Sequence, residues 1–146
     1  MNAQKATQRV HLRWCVRRDL AEVMTIEEQQ RDSLSEEELL TLFRQKNVIA
    51  MVAEHRERVV GVYVYRLQKD RLDLLRMATD YDMRRRGVGS QMVAKLKEKM
   101  NSHRRTRILI DVPDWNLDAH LFLRAMGFRA TSVSGAEYRF ECKVDA

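Results

Sequence analysis

Apolar residues first alternate with polar ones and then fall into helical spacing, and this exchange of periods repeats along the chain. Val10, Leu12 and Trp14 alternate with His11 and Arg13, predicting a strand that reaches about Val16. Leu20, Val23, Met24 and Ile26 follow at helical spacing, with Asp19 as candidate cap. A second helix is predicted from Ser35, with Glu38 at capping-box distance and Leu39, Leu40, Leu42 and Phe43 as its apolar residues. Val48–Glu54 and Val59–Leu67 are rich in β-branched and aromatic residues and flank a charged turn, His55–Arg58, which predicts a hairpin. Leu72–Thr79 is a further strand, and the polar stretch Asp80–Arg86 leads into a helix with the stripe Val88, Met92, Val93, Leu96 and Met100. Arg107–Val112 reads as a strand ended by Pro113. Asn116 or Asp114 caps a helix carrying Leu117, Leu121, Phe122 and Ala125, which closes at Gly127. Phe128–Val133 and Tyr138–Val144 are the last two strands, around Ser134 and Gly135. The order β-α-α-β-β-β-α-β-α-β-β predicts a single-domain α/β fold, one mixed sheet with helices on its faces. Residues 1–8 lack periodicity and are expected to be a flexible N-terminus, leaving 9–146 as the domain.

With 146 residues, 45% hydrophobic and 33% charged, the composition is that of one globular domain and excludes disorder. No run approaches the ~18 apolar residues of a spanning helix and no signal-peptide core opens the chain, so a cytoplasmic location without membrane contact is expected. Cys15 and Cys142 lie at opposite ends with no histidine at ligand spacing, so neither a disulfide framework nor a metal site is expected. Charge changes the picture by its location. Nine of the 27 Lys and Arg residues fall between Arg84 and Arg107 beside one acid, Glu98; that window carries +8 against +6 for the chain. One concentrated basic stripe suits a local polyanion such as a phosphorylated cofactor. It also admits a nucleic-acid reading, although no aromatic residues are interleaved with it as stacking surfaces.

Within the stripe stands Arg84-Arg85-Arg86-Gly87-Val88-Gly89-Ser90, between a predicted strand and a predicted helix. Three arginines at a helix N-terminus oppose the helix dipole, and an anion bound there reverses that sign. Gly87 and Gly89 let backbone N–H groups approach a phosphate, and a first helical turn has unpaired N–H donors to offer. The glycine spacing fits neither a Walker loop nor a dinucleotide fingerprint.

Arg84-x-x-Gly87-x-Gly89, the later Asn116 and the pair Gly127-Phe128, in that order and separation, resemble the GNAT superfamily of N-acetyltransferases over about residues 9–144. Ile110-Asp111-Val112-Pro113-Asp114-Trp115-Asn116 is similar to the corresponding run of its RimI-like group, which acetylates protein N-termini. The resemblance implies a GNAT-type fold and acetyl-CoA as co-substrate. It further implies that the backbone of Arg85, Arg86, Gly87, Val88, Gly89 and Ser90 cradles the pyrophosphate. Met77, Ala78 and Thr79 would then lie beside the pantetheine arm, one of their N–H groups serving as oxyanion donor, and Asn116 near the thiol. An amine must lose a proton to attack a thioester, and the resemblance assigns the base to Asp111, where the group has glutamate.

The chain departs from the family pattern where the usual proton-donating tyrosine is Leu123 and a usual arginine is Pro113. Tyr138 is the candidate replacement acid, and otherwise a strand aromatic packing on a neighbour. His120 is read as a hydrogen-bonded or solvent-facing helix residue, with a base as the alternative, and Trp115 as an anchor of its loop, with a place lining the acceptor mouth as the alternative. The expected activity is direct acetyl transfer to a primary amine, of a protein N-terminus or a small molecule, in a chain whose exposed last strand could pair two copies as a homodimer. The alternatives are a cofactor-binding protein with little catalysis and, behind it, a nucleic-acid binder.

Overall fold

The computed structural model describes residues 6–144. Its elements follow the expected order: β1 (His11–Trp14), α1 (Leu20–Glu28), α2 (Glu36–Phe43), β2 (Val48–His55), β3 (Arg58–Leu67), β4 (Arg71–Thr79), α3 (Val88–Lys97), β5 (Arg107–Pro113), α4 (Leu117–Ala125), β6 (Arg129–Ser134) and β7 (Glu137–Lys143). One seven-stranded sheet runs β1-β2-β3-β4-β5-β7-β6. Every neighbouring pair is antiparallel except β4 and β5. The β4–α3–β5 crossover forces that exception, because a helical connection returns the chain in the same direction.

The period-2 and period-3.6 patterns sort side chains onto two faces. On one, Val88, Met92, Val93 and Leu96 of α3 and Leu123 of α4 pack on Tyr63, Leu72, Ile108, Val112 and Phe140. On the other, Val23 and Ile26 of α1 and Leu39 of α2 pack on Val52, Val62, Val64 and Ala78. Gly61 lets α3 lie close on β3, since a Cβ there would stand 3.0 Å from Val88 Cγ1 and 3.1 Å from Met92 Sδ. The capping box at α2 forms as read: Ser35 Oγ accepts from the Glu38 N–H and Glu38 Oε1 from the Ser35 N–H, both at 3.1 Å.

Two readings need correction. Leu117 and Leu121, expected in the apolar face of α4, are 66% and 64% exposed, and Leu123 and Ala119 face the core instead. In a nine-residue helix two apolar stripes compete, and the one continuous with Phe128 and Phe140 is buried. Asp19 precedes α1 but makes no cap bond. Its buried carboxylate takes the Arg13 fork at 2.7 and 2.9 Å and the Val16 N–H at 2.8 Å, while Arg13 also reaches Glu54 at 3.0 Å. Of residues 1–8, expected as a flexible N-terminus, 1–5 lie outside the described residues; Gln8 is hydrogen-bonded to the loop before α3 and to α3 itself. Its N–H donates to the Arg86 carbonyl at 2.9 Å and its carbonyl accepts from Gln91 Nε2 at 2.6 Å.

The Arg13 guanidinium holds the Asp19 carboxyl below its ordinary range. A carboxyl with a depressed folded pKa contributes stability that is complete above its unfolded value, about 4, and is lost as pH falls through the native one. Asp19→Asn should therefore lower unfolding stability at pH 7 by about 2 kcal/mol. Urea titrations of the two proteins should converge as pH falls from 5 towards 2.

Candidate active site

The sheet divides where the crossover strands meet. β4 and β5 pair only through Arg71, Leu72 and Asp73 with Arg107, Ile108 and Leu109. Beyond them β5 keeps its partner β7 as far as Pro113, and β4 keeps β3 as far as Thr79. Between Leu74 and Arg76 the β3 register shifts, leaving Leu75 as a bulge. A bulge bends its strand and steepens the local twist, and this one stands two residues past the last β4–β5 pair. The C-terminal half of β4 thus has a free edge. The Asp80 N–H bonds to the Val60 carbonyl at 2.8 Å, which fixes the alternation. Ala78 turns its N–H towards β3, while Met77 and Thr79 turn theirs into the opening.

At the end of β4 the chain enters the arginine-glycine loop. Arg85 (φ +64°) and Gly87 (φ +79°) are left-handed, and Gly87 is the N-cap of α3 with no side chain to cap it. A Cβ on Gly87 would stand 2.9 Å from Thr7 Cγ2, and one on Gly89 would stand 3.2 Å from the Phe122 ring. The first N–H with a carbonyl behind it is that of Gln91, bonded to Gly87 at 3.1 Å. Those of Val88, Gly89 and Ser90 point out of the helix end beside three arginines, and the Arg86 Nε is buried without a partner. Unpaired donors and positive charge at a helix N-terminus fit a diphosphate.

Across the opening, Asn116 caps α4 through its side-chain oxygen, which accepts from the Ala119 N–H at 3.2 Å. Asp111 lies on the α1/α2 face of β5, where both of its oxygens accept from Arg139, at 2.9 and 3.2 Å. The pair borders a groove of about 360 Å³ on that face, with Asp73, Arg71 and Glu137. Leu123 is in the core. Tyr138 lies edge-on to His120 with ring centroids 5.1 Å apart, and His120 in turn meets the Pro113 carbonyl at 3.0 Å. Both therefore pack on the α4 face, away from Asp111. Trp115 does anchor a loop, though not its own: the Arg31 guanidinium lies 4.2 Å over its ring. That contact and the Arg139–Asp111 pair were not read from the sequence, since each joins residues far apart whose surroundings carry no periodic signal. Among the described residues no group of His, Cys, Asp or Glu could hold a metal ion, and no helix is long and apolar enough to cross a membrane.

A mixed sheet parted at its one parallel pair, with a basic glycine turn opening a helix beside the gap, defines the class as an acyl-CoA-type transferase fold. The model of the acetyltransferase (GNAT) family matches residues 13–128, and the chain belongs to that family. Its fold is shared with PaiA N-acetyltransferase from Thermoplasma acidophilum, solved in complex with coenzyme A (TM-score 0.82, 14% identity, 93% of this chain and 99% of that one). The ribosomal-protein-S18-alanine N-acetyltransferase of Escherichia coli superposes with TM-score 0.80 at 15% identity, over 94% and 96% of the two chains. Ard1 of Thermoplasma volcanium does so with TM-score 0.81 at 22% identity, over 94% and 99%. No curated protein matches in sequence. Acetyl-CoA is the co-substrate of this family's acetyl transfer, and the diphosphate-fitting turn and the free strand edge suit its two parts.

Gly87→Ala should lower unfolding stability by about 1–2 kcal/mol through the left-handed backbone, with Thr7 forced to move as well. Chemical denaturation of the two proteins measures this directly.

Proposed function

We propose that the chain transfers acetyl from acetyl-CoA directly to a primary amine that enters from the α1/α2 face. The observation that carries this reading is the opening between β4 and β5: the basic turn stands on the α3/α4 side, and a carboxylate, Asp111, stands on the other. An acyl donor and an amine would meet through the sheet, each approaching from its own face.

In this reading the backbone N–H groups of Arg85, Arg86, Gly87, Val88, Gly89 and Ser90 hold the pyrophosphate. Met77, Ala78 and Thr79 carry the pantetheine arm, and the inward N–H groups of Met77 and Thr79 are the candidate donors to the thioester oxygen. Asn116, its oxygen engaged in the cap, has its amide N–H free to meet the thiol end. The bound co-substrate supplies an activated acetyl group. Asp111 takes the amine's proton, through a water because aspartate is short, once Arg139 releases an oxygen. With leucine at position 123 and the Tyr138 ring packed edge-on against His120, the departing thiolate takes its proton from solvent. The acceptor is a protein N-terminus or a small-molecule amine.

One observation favours a second reading, in which the chain binds the cofactor with little turnover: both Asp111 oxygens are already engaged by Arg139. Two measurements separate them. A ligand at about a hundredfold its Kd adds about 2.7 kcal/mol, so acetyl-CoA should raise the melting temperature of the native protein but not of the Arg85→Glu, Gly87→Glu double variant. In thiol-release assays over a panel of amines, Asp111→Asn should lower kcat/KM by about a hundredfold or more while keeping the stabilisation by acetyl-CoA. Stabilisation without thiol release from any amine supports the second reading; neither effect sinks both.

A further inference from the structure

The loop between α1 and α2 spans the opening on the face from which the amine would come. Its first residues bind the β4 side: Gln29 Nε2 meets Asp80 at 3.3 Å, Gln29 Oε1 accepts from the Tyr81 N–H at 2.8 Å, and Asp32 pairs with Arg76 at 3.4 Å. Arg76 also holds the buried Glu27, whose carboxylate accepts from the Leu34 N–H at 2.8 Å, so the loop is fixed at both ends. Between these anchors, Arg31 reaches the β5 side and lies over Trp115. The loop thus forms a bar across the entrance.

Four arginines around the groove on this face are committed. Arg76 holds Glu27 and Asp32, Arg71 holds Asp73, Arg139 holds Asp111, and Arg66 holds Gln45. Arg31 makes no ion pair among the described residues, and its contact is an indole face. Such a contact at an exposed site favours the docked position by a factor of only about two to five, whereas a carboxylate offers the guanidinium two charge-assisted bonds. On the same rim Asp114 and Glu137 also lack ion-pair partners among the described residues, and the Asp114 N–H ties the two segments together through the Ala136 carbonyl at 2.7 Å. A guanidinium over Trp115, with Asp114 next to it in sequence and Glu137 on the segment bonded to Asp114, matches a molecule that carries both an ammonium and a carboxylate.

We propose that Arg31 is a specificity-determining residue: it leaves Trp115 to bind a carboxylate carried beside the acceptor's amine, so that the acceptor is an amino acid or a peptide with an acidic side chain next to its amino group. Asp114 and Glu137 attract the ammonium end, and a diamine without a carboxylate is disfavoured. The assignment rests on the acetyl-transfer reading.

The test compares matched acceptors by thiol release with the full-length protein and acetyl-CoA: an amino acid against its amide, and a peptide with aspartate in second position against the same peptide with asparagine. The carboxylate member should be preferred by about tenfold or more in kcat/KM, mainly through KM. The pair that shows the preference identifies whether the source is a free amino acid or a peptide. Arg31→Ala should bring that ratio to about one, and Arg31→Lys, a point charge without the fork, should keep part of it. In a Trp14→Phe background, where Trp115 is the one remaining tryptophan, the preferred acceptor should change the Trp115 emission and its neutral partner should not. Thiol release at equal rates from both members of each pair, or a preference that survives Arg31→Ala, overturns this proposal alone. No release from any amine overturns the acetyl-transfer reading, and this assignment falls with it.

Discussion

Three paired residues hold β4 to β5, and the function proposed for the protein depends on their number being so small. A parallel pair has slanted, evenly spaced hydrogen bonds and is slightly less stable per residue than an antiparallel one. Each of these strands also has a long antiparallel partner on its other side, β3 for β4 and β7 for β5. With that support the two strands can part without the sheet coming undone. The bulge at Leu75 sets where they part, and the alternation set by Asp80 and Val60 decides which backbone groups are left facing the gap.

The opening organises its surroundings as well. Its α3/α4 side ends in a helix N-terminus that carries no capping side chain, only glycine and arginine. As pure structure this end is unfavourable, because like charges crowd the positive pole of a dipole; a bound diphosphate would reverse that sign. The opposite side is lined by ion pairs, and Arg31 stands apart from them. Positive charge is concentrated at the turn on one side, while on the other Arg71, Arg76 and Arg139 are each paired with carboxylates.

The elements were legible in the sequence because each states its own period: strands β2 and β3 and helix α3 could be read from β-branched runs and an i, i+4 stripe. The phosphate-fitting turn was legible for a different reason. Arg84 to Gly89 is locally implausible as plain structure, and local implausibility can be seen without knowing what lies opposite. Asp19 and the buried face of α4 were misread because the deciding partner is distant in sequence. Arg13 and Glu54 draw the Asp19 carboxylate away from capping, and Phe128 and Phe140 decide that Leu123 rather than Leu121 turns inward. The same limit applies to the acceptor side. Asp111 could be picked out by resemblance, but the Arg139 that occupies it lies 28 residues on and on another strand. Arg31 and Trp115 meet only because the sheet folds one loop against the other.

Residue-resolved amide hydrogen exchange, with and without coenzyme A, tests the opening most directly. In the free protein the Ala78 amide should exchange slowly, bonded as it is to β3, while those of Met77 and Thr79 exchange faster. Coenzyme A should then slow Met77, Thr79 and the amides from Arg85 to Ser90, and leave Ala78 as it was. Slow exchange at Met77 and Thr79 without ligand, or protection by coenzyme A that falls elsewhere in the chain, would contradict a free β4 edge as the place where the cofactor lies.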